Sequence, residues 1–127
     1  MQENILATSV VQTVYDIHSE LGPGLYESVY ERILTYELEA KGLSVKRQVE
    51  VPVEWKGMVI ENGFRADLIV EDKLIIELKS CEKLQPVHHK QLLTYLKLTR
   101  NRLGLLVNFN ERNIGSGIKR IVNNLPD

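Results

Sequence analysis

The sequence predicts an α/β domain: a mixed central β-sheet flanked by helices, in the order α-α-β-β-β-α-β-(β). Three observations carry this reading. Two segments with apolar residues at helical spacing open the chain. Alternating and apolar strand-like segments joined by short turns follow, up to Lys79. One further helix then separates Lys79 from a nearly all-apolar run, Leu103 to Phe109.

The elements follow in chain order. Ile5 to Leu21 reads as a helix, with Val10, Val14, Ile17 and Leu21 at helical spacing. Gly22-Pro23-Gly24 stops it, because glycine suits the cap and proline cannot continue the helix. A second helix runs from about Tyr26 to Lys41, with Gly42 as its stop. Its stripe is Val29 and Ile33 with neighbouring Tyr30, Leu34 and Leu38. Val45 to Trp55 is a first strand, in which valines and Trp55 alternate with Gln48, Glu50 and Glu54. Pro52 lacks a ladder donor, so this strand belongs at an edge or carries a bulge. Trp55 is expected in the core rather than stacked on a base. Lys56-Gly57 turns the chain into Met58 to Ile60. Pro86 suits the first turn of a third helix ending near Arg100. Leu103 to Phe109 reads as a buried strand, and Ile118 to Val122 as a last strand or a short helix, with strand preferred.

The hairpin from Phe64 to Lys79 carries the chemistry. Its strands are Phe64-Arg65-Ala66-Asp67-Leu68-Ile69-Val70 and Leu74-Ile75-Ile76-Glu77-Leu78-Lys79. Glu77 and Lys79 share one face, and Leu74, Ile76 and Leu78 share the other, a plausible core face. A two-residue turn would put Asp67 opposite Ile76, on the wrong face. A three-residue loop at Glu71-Asp72-Lys73, or an equivalent bulge, pairs Val70 with Leu74 and puts Asp67 opposite Glu77. Two carboxylates so close raise each other's pKa. A divalent cation resolves that conflict, and an oxygen-rich site suits Mg2+ or Mn2+. Lys79 then lies beside the cation, able to orient a water or stabilise charge on a phosphate. Arg65 falls on the same face and becomes a phosphate-contact candidate. The bland alternative is a salt-bridge ladder on a solvated sheet face.

Asp67 with Glu77-Leu78-Lys79 resembles the signature of the PD-(D/E)XK nuclease superfamily, with Ala66 at the position of the proline. Gly24-Leu25-Tyr26-Glu27-Ser28-Val29-Tyr30 resembles the Gly-x-x-Glu-x-x-Tyr motif of a small bacterial and archaeal family named after it. Gln91-Leu92-Leu93-Thr94-Tyr95 resembles the Gln-x-x-x-Tyr helix motif of RecB-like nucleases. The resemblance spans roughly Ile5 to Asn124 and implies a restriction-endonuclease-like core across a single domain, residues 1–127. It further implies a metal site of Asp67, Glu77 and the backbone carbonyl of Leu78, completed by Glu27. Lys79 would assist at the nucleophile, and Gln91 and Tyr95 would wall the site. Tyr30 and His88 join Arg65 as substrate-contact candidates. The activity implied is phosphodiester hydrolysis of nucleic acid by a metal-activated water, with DNA as the default substrate by analogy.

Bulk properties exclude some classes and weigh against this one. One domain is expected at 127 residues, and no apolar run approaches membrane-spanning length. Lone Cys81, read as a small apolar residue, and the lack of an export pattern point to the cytoplasm. A net charge of −1 is unusual for a nucleic-acid binder. Positive charge must then be local, and the candidates are Lys46-Arg47, the His88–Arg102 run and Lys119-Arg120. Neighbouring His88 and His89 point about 100° apart on a helix and do not form a metal pair. The alternative function is a non-catalytic nucleic-acid-binding or protein-interaction module on the same fold. A homodimer or another protein partner stays open as a source of specificity.

Overall fold

The computed structural model describes residues 2–125. Two helices, α1 (Glu3–Leu21) and α2 (Glu27–Ala40), precede β1 (Val45–Trp55), β2 (Met58–Val70) and β3 (Leu74–Lys79). Then come α3 (Pro86–Thr99), β4 (Leu103–Asn108), a 3-10 turn (Ile114–Gly117) and β5 (Ile118–Val122). The five strands form one sheet in sequential order. All neighbours are antiparallel except β3 and β4, which run parallel and are joined across α3. The mixed sheet flanked by helices, with a strand rather than a helix at its end, is the architecture that the sequence predicts.

Each face of the sheet has its own core. On one side α1 and α2 bury Val10, Val14, Tyr30, Leu34 and Leu38 against Leu74, Ile76 and Leu78 of β3. On the other, Leu92 and Leu96 of α3 cover Ile75, Leu106 and Ile121. The central strands are thus coated on both faces, which is why β4 is apolar at nearly every position. The face of β3 carrying Glu77 and Lys79 is the face of Ile75, so these charges continue an α3-side core toward the strand's end.

The β1–β2 ribbon behaves differently. Val45 packs with the α1–α2 core, whereas Val49, Val51 and Val53 pack with the α3 core, although all four have the same strand parity. On β2, Leu68 and Val70 face the first core while Phe64 and Ala66 face the second. The ribbon therefore turns over between Arg47 and Val49 on β1, and between Leu68 and Ala66 on β2. Gln48 sits at this crossing with φ +50°, a left-handed backbone uncommon for a residue with a side chain.

Beyond the crossing the ribbon runs past the rest of the sheet. At Pro52 the register shifts, from Val51↔Phe64 to Val53↔Ile60, so residues 61–63 of β2 bulge opposite it. Met58 to Ile60 belong to the long strand β2 rather than to a separate short segment. Two expectations are corrected here. Trp55 is 56% exposed at the ribbon tip, with Lys56 over its ring, because the α3-side core ends on β1 at Val53 and Trp55 lies beyond it. Leu21 is likewise exposed at the end of α1 rather than part of the buried stripe.

Gly63 fits the bulge because a Cβ there would lie 2.5 Å from Cγ1 of buried Val53. Gly63→Ala is therefore expected to destabilise the fold by about 1–3 kcal/mol, the usual cost of overpacking, read as a lower urea midpoint with an unchanged m-value.

Candidate active site

The hairpin register agrees with the face argument. Val70 pairs with Leu74, Ile69 with Ile75 and Leu68 with Ile76, across a loop of Glu71, Asp72 and Lys73. Glu71 and Asp72 both adopt positive φ, and Lys73 N–H donates to the Val70 carbonyl, as in a type I′ turn. Pairing stops at Leu68↔Ile76. One step on, the Asp67 carboxylate replaces the ladder: its Oδ2 accepts the Leu78 N–H at 2.8 Å. The two strands part at this point, and a cleft of about 220 Å3 opens in the fork.

Asp67 and Glu77 both line the cleft, with Lys79 beside them. The pKa of Glu77 is pushed up to about 9, first by burial, then by the Asp67 charge and by a side-chain hydrogen bond to Asp67. The nearby Lys79 charge and the Asp67 backbone N–H act in the other direction and do not offset these. At neutral pH, Glu77 is therefore a neutral carboxylic acid hydrogen-bonded to Asp67.

The remaining wall comes from α3 and β2. Gln91 and Tyr95 lie one turn apart, and the Gln91 side-chain N–H donates to the Tyr95 hydroxyl at 2.9 Å. The Tyr95 ring stacks on Phe64 at 4.0 Å between centroids, which ties the helix to the ribbon. Arg65 lines the cleft while holding Glu50 at 3.0 Å. His88 also lines it, and its Nδ1 accepts the Gln85 N–H in the cap of α3. In the neutral ring that bond leaves the proton on Nε2.

Glu27 reaches the same cleft from the first turn of α2. Ser80 brings it there: the Ser80 N–H donates to Glu27 Oε1 at 3.2 Å, and the Ser80 hydroxyl donates to the Leu25 carbonyl at 2.7 Å. Fully buried Asn108 shapes the loop after β3, accepting from Cys81 and Asn110 N–H groups and donating to the Cys81 carbonyl. Cys81 itself is only partly buried, with its thiol turned to the Lys83 carbonyl.

The structure removes one candidate. Tyr30 was expected among the substrate contacts but is fully buried, stacked on Phe109 at 4.2 Å. Its hydroxyl donates to the Gly22 carbonyl and accepts the Leu25 N–H, so it clamps the α1–α2 loop. The motif spacing puts Tyr30 one turn from Glu27, but at that point the helix has already turned into the core.

Two residues near Asp67 were not singled out by sequence. The Gln48 side-chain N–H group donates to Asp67 Oδ1 at 3.4 Å and to Glu31 Oε1. Glu31 is buried and also faces Arg47 at 3.6 Å. Glu31 follows Glu27 by four residues on α2, a spacing that places the two acids on one helix face.

The donor set suits a hard cation. Among the described residues no three His, Cys, Asp or Glu side chains converge closely enough to hold an ion by themselves. The cleft instead offers two carboxylates, Asp67 and Glu77, with the Leu78 main chain between the strands and Glu27 at the rim. Such an all-oxygen set, part backbone and part carboxylate, suits magnesium or manganese, which keep several waters.

The family model for the PD-(D/E)XK nuclease superfamily matches residues 4–121. No curated protein matches the chain.

The Glu77 shift fixes a pH dependence. Between the ordinary value of 4.5 and about 9, the folded protein holds one proton more than the unfolded one. Stability from this group is full below pH 4.5 and is lost as pH rises through about 9. Glu77→Gln removes the effect. In EDTA, the variant is expected to gain stability over the parent by up to about 1.4 kcal/mol per pH unit across that window, and a pH-independent difference in thermal melts would sink the protonated Glu77. Tyr30→Phe should cost about 1 kcal/mol in the same melts, and leave the pH profile of the parent unchanged.

Proposed function

On the footing that the chain belongs to the PD-(D/E)XK nuclease superfamily, as the match over residues 4–121 shows, we propose that it is a metal-dependent nuclease. Its reaction is phosphodiester hydrolysis, with DNA the default substrate and Mg2+ or Mn2+ the cofactor. Superfamily members typically use divalent metals. The Gly24–Tyr30 segment supports placing the chain in the Gly-x-x-Glu-x-x-Tyr family within it. The observation that carries the reading is the convergence of Asp67, Glu77 and Lys79 in one cleft at the β2–β3 fork.

Asp67, Glu77 and the Leu78 carbonyl would hold the cation, with Glu27 completing the shell directly or through water. A divalent cation there lowers the pKa of a water and offsets charge developing on the phosphate. Glu77, whose pKa is raised beside Asp67, would give up its proton to serve as a ligand. Lys79 orients the attacking water and stabilises negative charge beside it. Tyr95 accepts from Gln91, so its own O–H is left to donate toward a phosphate oxygen at the cleft wall. Arg65 and the Nε2–H of His88 offer two further donors.

Purified protein incubated with Mn2+ or Mg2+ is expected to cleave single- or double-stranded DNA or RNA, with DNA preferred. EDTA and Glu77→Gln should each abolish cleavage. Lys79→Arg keeps the charge but is a poor proton acceptor, and should lose at least about 100-fold in kcat with Mn2+ affinity retained. Mn2+ titration near pH 7 should release about one proton, measured by calorimetry in buffers of different ionisation enthalpy. Metal binding without cleavage of any of the four substrates would instead favour the non-catalytic binding module.

A further inference from the structure

Gln48 combines a strained backbone with a contact to the site. It lies on β1 opposite Asp67, between the pairs Arg47↔Leu68 and Val49↔Ala66. Its φ of +50° is in the left-handed region, which costs a residue with a Cβ roughly 1–2 kcal/mol. Such strain persists where the surroundings over-determine it, and it clusters at functional sites. What the conformation achieves is visible in the side chain. One nitrogen, Nε2, reaches both Glu31 Oε1 and Asp67 Oδ1, the latter at 3.4 Å. Both partners are carboxylates, so only the amide nitrogen can face them, and its two protons serve one acid each.

The chain of contacts is anchored away from the cleft. Arg47 faces the second oxygen of Glu31 at 3.6 Å, and Glu31 is buried on α2. Asp67 is thereby held at both oxygens: Oδ1 by Gln48 and Oδ2 by the Leu78 N–H at 2.8 Å. Two donors from two different strands fix the plane of the carboxylate. So held, the carboxylate lines the cleft beside Glu77.

We propose that Gln48 is a positioning residue for Asp67, its left-handed backbone turning the carboxamide across from Glu31 to orient that carboxylate for the cation. The assignment rests on the nuclease reading above. Gln48 itself does not line the cleft. Partners of this kind set ligand orientation, and their removal typically weakens metal binding by 10–100-fold.

Two variants separate positioning from structure. Gln48→Gly removes the carboxamide and relieves the positive φ. Gln48→Met keeps length and Cβ, so it keeps the strain, but cannot donate. Thermal melts in EDTA should show Gln48→Gly at least as stable as the parent and Gln48→Met less so. Calorimetric titration with Mn2+ alone should show both weakened by about tenfold. With substrate, kcat should fall while KM stays near the parent value. A purely structural residue would make Mn2+ affinity follow stability, and the two variants would then diverge. Mn2+ binding equal to the parent in either folded variant overturns the assignment and leaves the nuclease reading standing. A parent that binds no Mn2+ overturns the nuclease reading and the assignment with it.

Discussion

The site depends on one substitution in the hydrogen-bond pattern: the Asp67 carboxylate accepts the Leu78 N–H that a continuing β2–β3 ladder would have engaged. Had the ladder continued, Asp67 and Glu77 would sit on a flat sheet face open to water. Because a side chain takes over the bond, β2 is released from β3 without leaving a buried donor unpaired, a fault that costs about 1–3 kcal/mol. The released ribbon swings toward α3, where Phe64 meets Tyr95. The same event opens the cleft, brings in the wall and pushes Glu77 against Asp67.

What lets so small a chain afford this is the pair of cores on either side of β3. Leu74, Ile76 and Leu78 anchor the strand to α1 and α2, while Ile75 anchors it to α3. Glu77 therefore sits on a strand that cannot shift to relieve its burial. The strand's last residue is fixed as well, with the Lys79 carbonyl accepting from Phe109 N–H and Ser80 clasping the start of α2. Two loops and one helix end are thus tied to the point where the carboxylates meet. The raised pKa of Glu77 follows from where that strand holds it, buried and beside Asp67.

Much of this was legible in the sequence, because it follows from period and parity. The period-2 rule put Asp67 and Glu77 on one face given a three-residue loop or an equivalent bulge, and the loop is found at Glu71–Lys73. The helical spacing of Gln91 and Tyr95 placed them together. Three features were not legible, for separate reasons. No pattern of residue types encodes the positive φ of Gln48, and its partners stand 17 and 19 positions away. The alternation in β1 continues to Trp55 past the point where a helix covers it, so the pattern overstated the core. Tyr30 shares a helix face with Glu27 in projection, but the face curves from cleft to core within one turn, and the hydroxyl serves the loop at Gly22 and Leu25.

The near-neutral charge of the chain takes on a specific meaning once the pairs are placed. Lys46 is held by Asp72, Arg47 faces Glu31, and Arg65 is held by Glu50. The Lys46–Arg47 cluster, which in sequence looked available to phosphate, is therefore committed to acids, and Arg47 supports the network behind Asp67. In the fork, Glu77 is protonated beside Asp67. A basic protein attracts nucleic acid with its whole surface. Here Lys46, Arg47 and Arg65 are paired with acids of the fold, and of these three Arg65 also lines the cleft. On the nuclease reading proposed above, a bound cation would add positive charge at the fork, and the geometry of Asp67, with the residues that aim it, would set where that charge sits.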